Sequence, residues 1–191
     1  MKKIIKIAGY VFGGILILLL MGGMYVQWNG IPTYELPAVG FTVHMDSASI
    51  AEGKRISDMV CNDCHRSANG LLEGNLMFGG DNPSAFGTVY SANITGHEVY
   101  GAGRYSDAEL AILLRTGIKK NGQYAPPWMP KFPHLSDDDL NSIIAYLRSD
   151  APELTPSSVQ QPANDPSFLA KALCNFVFKP LPYPGQPVSS P

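Results

Sequence analysis

The densest chemistry in the chain lies in five residues, Cys61-Asn62-Asp63-Cys64-His65. Two thiols three positions apart, with an imidazole directly after the second, suit three kinds of site. They can help hold a zinc ion, cycle between dithiol and disulfide, or add to the vinyl groups of a haem as thioethers, which places the imidazole under the iron. A structural zinc asks for four ligands. The chain offers only Cys174 and one of His44, His65, His97 or His134 beyond the pair, with no second pair at zinc-like spacing. A thioredoxin-like dithiol sits in a βαβ setting, and no such pattern surrounds the motif. The haem reading uses every residue of it.

An electron-transfer haem often takes a methionine as its second axial ligand, because a soft thioether favours ferrous iron and raises the potential. The chain has seven methionines. Met1, Met21 and Met24 fall in an apolar N-terminal segment, and Met45 and Met59 precede the motif. Met77 follows His65 by only 12 residues, a short path around a porphyrin edge. Met129 follows by 64, in "YAPPWMPKFPHL", where Pro126, Pro127 and Pro130 fix φ and stiffen the loop. Met129 is therefore the expected partner of His65 on the iron. His134 is the main rival, and His97 sits in a long loop.

The elements that must position these residues can be read outward from the motif. Ser49 and Glu52 in "SIAE" predict a capping box opening a helix that runs towards Val60, with Ile50, Gly53, Ser57 and Val60 on one face. Ser106 and Glu109 predict a second box, followed by Leu110, Leu113 and Leu114 and a stop at Gly117. Ser136 caps a third helix whose first turn holds Asp137, Asp138 and Asp139. Its stripe is Leu140, Ile143, Ile144 and Leu147, with Arg148 in its last turn. Between the first two helices lie about 33 residues rich in Gly, Pro and Asn, without convincing strand alternation. A loop of that length in a compact domain asks for a reason, and a large buried cofactor is one.

The ends differ from this middle. Ile4–Val26 is a run of 23 residues carrying one charge, Lys6. As a helix it would span about 35 Å, enough to cross a bilayer. Lys2, Lys3 and Lys6 precede its core, and no acid comes before Glu35. The positive-inside rule then leaves the N-terminus in the cytoplasm and the rest outside. The run is longer than the apolar region of a cleaved signal peptide and lacks an A-x-A-like site, which favours an uncleaved anchor. Residues 29–45, with Pro32, Pro37 and Gly40, read as a tether. Residues 151–191 hold nine prolines and one short helix at 166–178, with Asp165 as cap and Pro166 in its first position. Phe168, Leu169, Ala172, Leu173, Phe176 and Val177 would form its apolar face. The reading taken is a strap packed on the domain, with docking to a partner or a membrane surface as the alternative. Cys174 would be a buried apolar residue in that helix. Of 14 Lys and Arg, three lie in the anchor, so the exported part sets 11 against 16 Asp and Glu. A surface of that sign repels phosphate, which argues against a nucleic-acid partner.

The order helix, C-N-D-C-H, long loop, middle helix, Met loop and final helix resembles a class I cytochrome c over about Asp46 to Asp150. "VYSANIT", "GAGRYSDAELAILLRTGI" and "MPKFPHLSDDDLNSIIAYL" further resemble the cytochrome subunits of membrane-bound periplasmic dehydrogenases. The resemblance implies an all-α cytochrome c fold of three to four short helices and long loops around one covalent haem c, with a transmembrane helix ahead of it. Cys61, Cys64, His65 and Met129 would hold the haem, with His65 and Met129 on the metal. It also implies that Gly53 meets Tyr146 where the first and last helices cross, and that Tyr105 or Arg104 hydrogen-bonds a propionate. The organisation expected is residues 1–28 as cytoplasmic end and anchor, 29–45 as tether, 46–150 as cytochrome domain and 151–191 as strap. The function implied is single-electron transfer in a respiratory chain, without a small-molecule substrate. The domain would face the periplasm from a bacterial inner membrane. A dehydrogenase, a quinol-oxidising complex or a terminal oxidase would be the redox partner. A fixed haem subunit of such a complex is the alternative, and a haem enzyme or gas sensor with an open iron position is the rival of another class.

Overall fold

The computed structural model describes residues 2–82 and 84–190. The chain is mainly helical. Helix α1 is Lys2–Asn29, α2 is Ser47–Val60, and α3 is the single turn Asn62–His65. Two short strands follow, β1 (Leu76–Phe78) and β2 (Gly87–Tyr90), then α4 (Asp107–Thr116) and α5 (Asp137–Leu147). The tail adds β3 (Asp165–Pro166) and α6 (Phe168–Phe176).

The frame of the domain is the crossing of α2 and α5. A β-carbon at Gly53 would lie 2.8 Å from Cβ of Tyr146 and would overlap the carbonyl of Ser142. Only glycine lets the two backbones approach this closely. Gly53 and Tyr146 do meet there, as expected, and the Tyr146 ring is wholly buried. Its hydroxyl donates to Glu153 Oε1 at 2.8 Å, and Lys54 Nζ donates to the same oxygen at 2.8 Å. Leu72, Leu110, Leu140, Ile143 and Ile144 pack around this crossing. Burying each such side chain contributes about 1.5–3 kcal/mol.

Local signals set most helix ends. Ser106 and Glu109 form the reciprocal box that opens α4, and Gly117 closes it at φ +81°. Ser136 Oγ accepts from the Asp139 amide at 3.0 Å to open α5. Arg148 caps the far end and donates to the carbonyls of Ala102 and Tyr105 and to Asp107. Two starts differ from the sequence reading. Helix α2 begins at Ser47 because Asp46 is its cap: Asp46 Oδ1 accepts from the Ser49 amide at 2.8 Å, and Ser49 Oγ accepts from the Asp46 amide at 3.1 Å. Ser49 thus fills the reciprocal position of the box, and Glu52 pairs with Arg55 instead. Helix α6 begins later than expected, because Ser167 Oγ takes the Ala170 amide at 3.2 Å.

The long segment after the motif also differs from the expectation of no strands. β1 and β2 pair antiparallel with an irregularity between Leu76 and Phe78, and β3 from the tail pairs antiparallel with β2. Gly79 at φ +90° and Gly80 at φ +69° let the chain turn after β1. Strands this short carry too few residues for alternation to register.

Candidate functional site

Cys61 ends α2, and its amide still donates to the Ser57 carbonyl. The chain then tightens into α3, where the Cys64 and His65 amides donate to the Cys61 carbonyl at 3.2 and 3.1 Å. That single turn brings both thiols and the imidazole to one cleft of about 310 Å³. Met129, Trp128, Pro126 and Pro130 line the same cleft, as do Met77, Tyr90, Ala92 and Arg104. The Met129 loop is pinned to its surroundings. The Met129 amide donates to Pro126 O at 3.1 Å, Lys131 Nζ to the same oxygen at 2.7 Å, and the Phe132 amide to Leu114 O at 2.8 Å.

The β-hairpin gives the motif its support. Ser91 Oγ donates to the Cys64 carbonyl at 2.6 Å, and His65 Nδ1 lies 2.7 Å from the Ala92 carbonyl. Nδ1 must donate to that carbonyl. The tautomer is thereby fixed, and Nε2 keeps the lone pair a metal needs. Burial pulls the His65 pKa down, against the Ala92 bond, so the ring is neutral and ready to ligate. Burial also pushes the Cys61 thiol up to about 11. A redox-active C-x-x-C has a depressed thiol, and Cys61 is shifted the opposite way. Cys174 is buried elsewhere, in an apolar pocket of about 270 Å³ lined by Phe78, Phe86, Trp128, Leu173 and Phe178. Among the described residues no group of three or more His, Cys, Asp or Glu side chains comes together as a metal site.

Of the residues singled out in the sequence, Cys61, Cys64, His65, Met129 and Arg104 share the cleft. Tyr105 lies behind it in the core, with the Arg104 guanidinium 5.3 Å above its ring. Several lining residues had no sequence signal. Lys119 joins Arg104, and burial first, then the Arg104 charge, lowers its pKa. The tail supplies Gln160, Gln161, Pro162 and Asn164 to the lining. Asn164 Oδ1 accepts from the Tyr90 amide at 2.6 Å, and Gln161 Nε2 donates to the carbonyls of Glu73 and Gly74. The Ala92 carbonyl could not have been picked out, since every residue has one.

A sequence description of the cytochrome c family matches residues 50–150, more than half of the chain. The chain belongs to the cytochrome c family. Members carry covalently bound haem c, and the donor set of this cleft fits such a group: two thiols, an imidazole with a free Nε2 and a thioether. This cytochrome is 35% identical over 114 residues to the cytochrome c subunit of a quinone alcohol dehydrogenase from Gluconacetobacter polyoxogenes, covering 58% of the chain and 24% of that relative. It is 34% identical over 159 residues to the corresponding subunit from Gluconobacter oxydans, covering 78% and 31%. It is 31% identical over 153 residues to the fructose dehydrogenase cytochrome subunit of Gluconobacter japonicus, covering 78% and 29%. The chain thus spans between about a quarter and a third of the length of these curated relatives.

Proposed function

We propose that this cytochrome carries one haem c, joined to Cys61 and Cys64 with His65 and Met129 on the iron. It passes single electrons between redox proteins at the outer face of a bacterial inner membrane. The observation that carries this reading is the convergence of those four side chains on one cleft. When bound, the haem supplies a reversible one-electron iron couple. His65 is held neutral and oriented by Ala92, so its Nε2 ligates without rearrangement. Met129 sits on a loop already fixed by Pro126, Lys131 and Leu114, so ligation orders little further chain. Arg104 and Lys119 are the cations in reach of propionate carboxylates, and Tyr105 supports the Arg104 guanidinium from beneath. With both iron positions filled by protein, no site is left for a substrate. The test is a haem-to-chain ratio of one by haemochrome absorbance, with slow or absent carbon monoxide binding by the reduced protein. Fast, tight binding would mean an open iron.

Helix α1 is the membrane anchor in this reading. It runs 28 residues without a break and is exposed along its apolar length, with Val26 alone buried against the domain. Lys2, Lys3 and Lys6 keep its start in the cytoplasm. Mass measurement of the purified protein decides: an intact N-terminus supports the anchor, and loss of α1 marks it as a cleaved leader.

A second reading is a fixed subunit of a membrane dehydrogenase. It is favoured by the relatives, which are named as cytochrome subunits of dehydrogenases. Mild detergent extraction separates the two, since a free carrier migrates alone and a subunit brings its dehydrogenase.

A further inference from the structure

Helix α6 is apolar on two opposite sides, which a solvated helix on a soluble domain is not. One side, Ala170 and Cys174, is buried against the domain. The opposite side carries Phe168, 53% exposed, Leu169, 47%, and Phe176, 63%. The flank between them meets the end of α1. Phe168 Cζ comes within 4.0 Å of the β-position of Gly23, Lys171 Nζ donates to Gln27 Oε1 at 3.3 Å, and Asn175 Nδ2 donates to Gly30 O at 2.8 Å. These contacts climb both helices in step, so α6 rises beside the last turns of α1 with its N-terminal end lowest. A hydrocarbon core of ~30 Å takes about 20 helical residues. Counted from Ile7, just past the last charge at Lys6, it ends near Val26. Phe168 and Leu169 therefore stand at the level where the chain leaves the acyl region. Phe176, about 12 Å higher along α6, reaches the headgroups or beyond. Tyr25 and Trp28, 55% and 95% exposed, ring the same level on α1.

We propose that the N-terminal end of α6 dips Phe168 and Leu169 into the outer leaflet of the bilayer that α1 crosses, giving the cytochrome a second membrane contact. The inference rests on the anchor reading of α1. Phe168 touches α1 at Gly23 yet stays half-exposed, and Leu169 and Phe176 are exposed as well, so the continuity of this face with the last turns of the span names phospholipid as what covers it. The consequence is orientation. One helix alone would let the domain swivel about its end. A second contact, tied to the domain through Ala170 and Cys174, holds the haem cleft at a fixed angle to the membrane surface.

The test places a photoreactive benzophenone amino acid at single positions of full-length holoprotein in phospholipid nanodiscs, with lipid adducts read by mass spectrometry. Position 18, mid-span in α1, and position 150, exposed on the domain, are the controls. The expected result is lipid adducts at 18 and 169, fewer at 176 and none at 150. Adducts at 18 with none at 169 would overturn the inference while leaving the anchor intact. No adducts at 18 would remove the anchor and the inference with it. In native membranes, cross-linking of 169 into a second protein instead of lipid would also overturn it, making α6 a protein-docking element.

Discussion

At the residue scale, two thioethers reach the cleft, Met77 from β1 and Met129 from the proline loop. The loop position carries the stronger case, because its backbone is held by three hydrogen bonds before any ligand arrives. Met129→Ala should abolish the methionine–iron charge-transfer band of the oxidised protein, open the iron to carbon monoxide and lower the potential by on the order of 100 mV. Met77→Ala should leave the band in place. The reverse pattern in the two spectra would assign the ligand to β1. Arg104 and Lys119 should act through charge alone. A positive group near the haem disfavours the oxidised, more positive state, so Arg104→Ala should lower the potential. With an interaction of about 1 kcal/mol for an exposed charge, the shift is roughly 40 mV for one electron, read by redox titration and shrinking in high salt. The C-x-x-C-H motif was legible because its chemistry lies in residue types at contiguous positions. The Ala92 carbonyl that orients His65 was not, because a backbone acceptor carries no residue identity and only the fold brings it near.

At the scale of elements, the α2–α5 crossing and its satellite Glu153 govern stability. Gly53→Ala would force Cβ into the Ser142 carbonyl, and backbone cannot yield as a flexible side chain can. The expected loss is about 3 kcal/mol, or roughly 10 °C in the melting of a domain this size. A melt unchanged by the substitution would mean the helices cross less tightly than described. Glu153 makes a pH prediction. Burial works to raise its pKa, but the bonds from Lys54, its own backbone and Tyr146 outweigh burial and hold the carboxyl at about 2, below its ordinary 4.5. A depressed carboxyl stabilises the fold above its unfolded pKa and loses that contribution as the pH falls through its folded one. The contribution is whole above about pH 4.5 and fades towards pH 2. Glu153→Gln should therefore cost roughly 2 kcal/mol at neutral pH and almost nothing at pH 2, as read from denaturant melts across that range. Helices α4 and α5 were legible because Ser106 and Ser136 stand alone as caps before apolar stripes. The start of helix α2 was misplaced because Ser49 and Glu52 match a capping box by spacing alone, whereas in the fold Ser49 pairs back to Asp46. The β-hairpin was hidden by strands too short to show a period.

At the scale of the molecule, the family pattern ends at Asp150, yet the cleft does not. Residues 160–164 form part of its lining, and the segment that carries them is stitched to the cytochrome domain by buried polar bonds. Ser157 Oγ donates to Oε2 of the buried Glu73 at 2.5 Å. Asn93 Nδ2 donates to the carbonyls of Ser157 and Val159 at 2.8 and 2.9 Å. Removing residues 156–191 would take these hydrogen bonds from Glu73 and Asn93, each contributing about 0.5–1.5 kcal/mol. It would also open one wall of the haem cleft to water. Water solvates the oxidised, more charged state better, so exposure lowers the potential. The truncated protein should still attach haem, because the motif and Met129 are untouched. It should melt lower and titrate at a more negative potential than the full chain. Ser157→Ala separates the two effects, since it takes one bond from Glu73 while leaving Gln161 and Asn164 in place. It should lower the melting temperature and leave the potential near that of the parent. If the truncation melts lower but keeps its potential, the tail is a brace only. If the potential falls as well, the tail is a wall of the haem site.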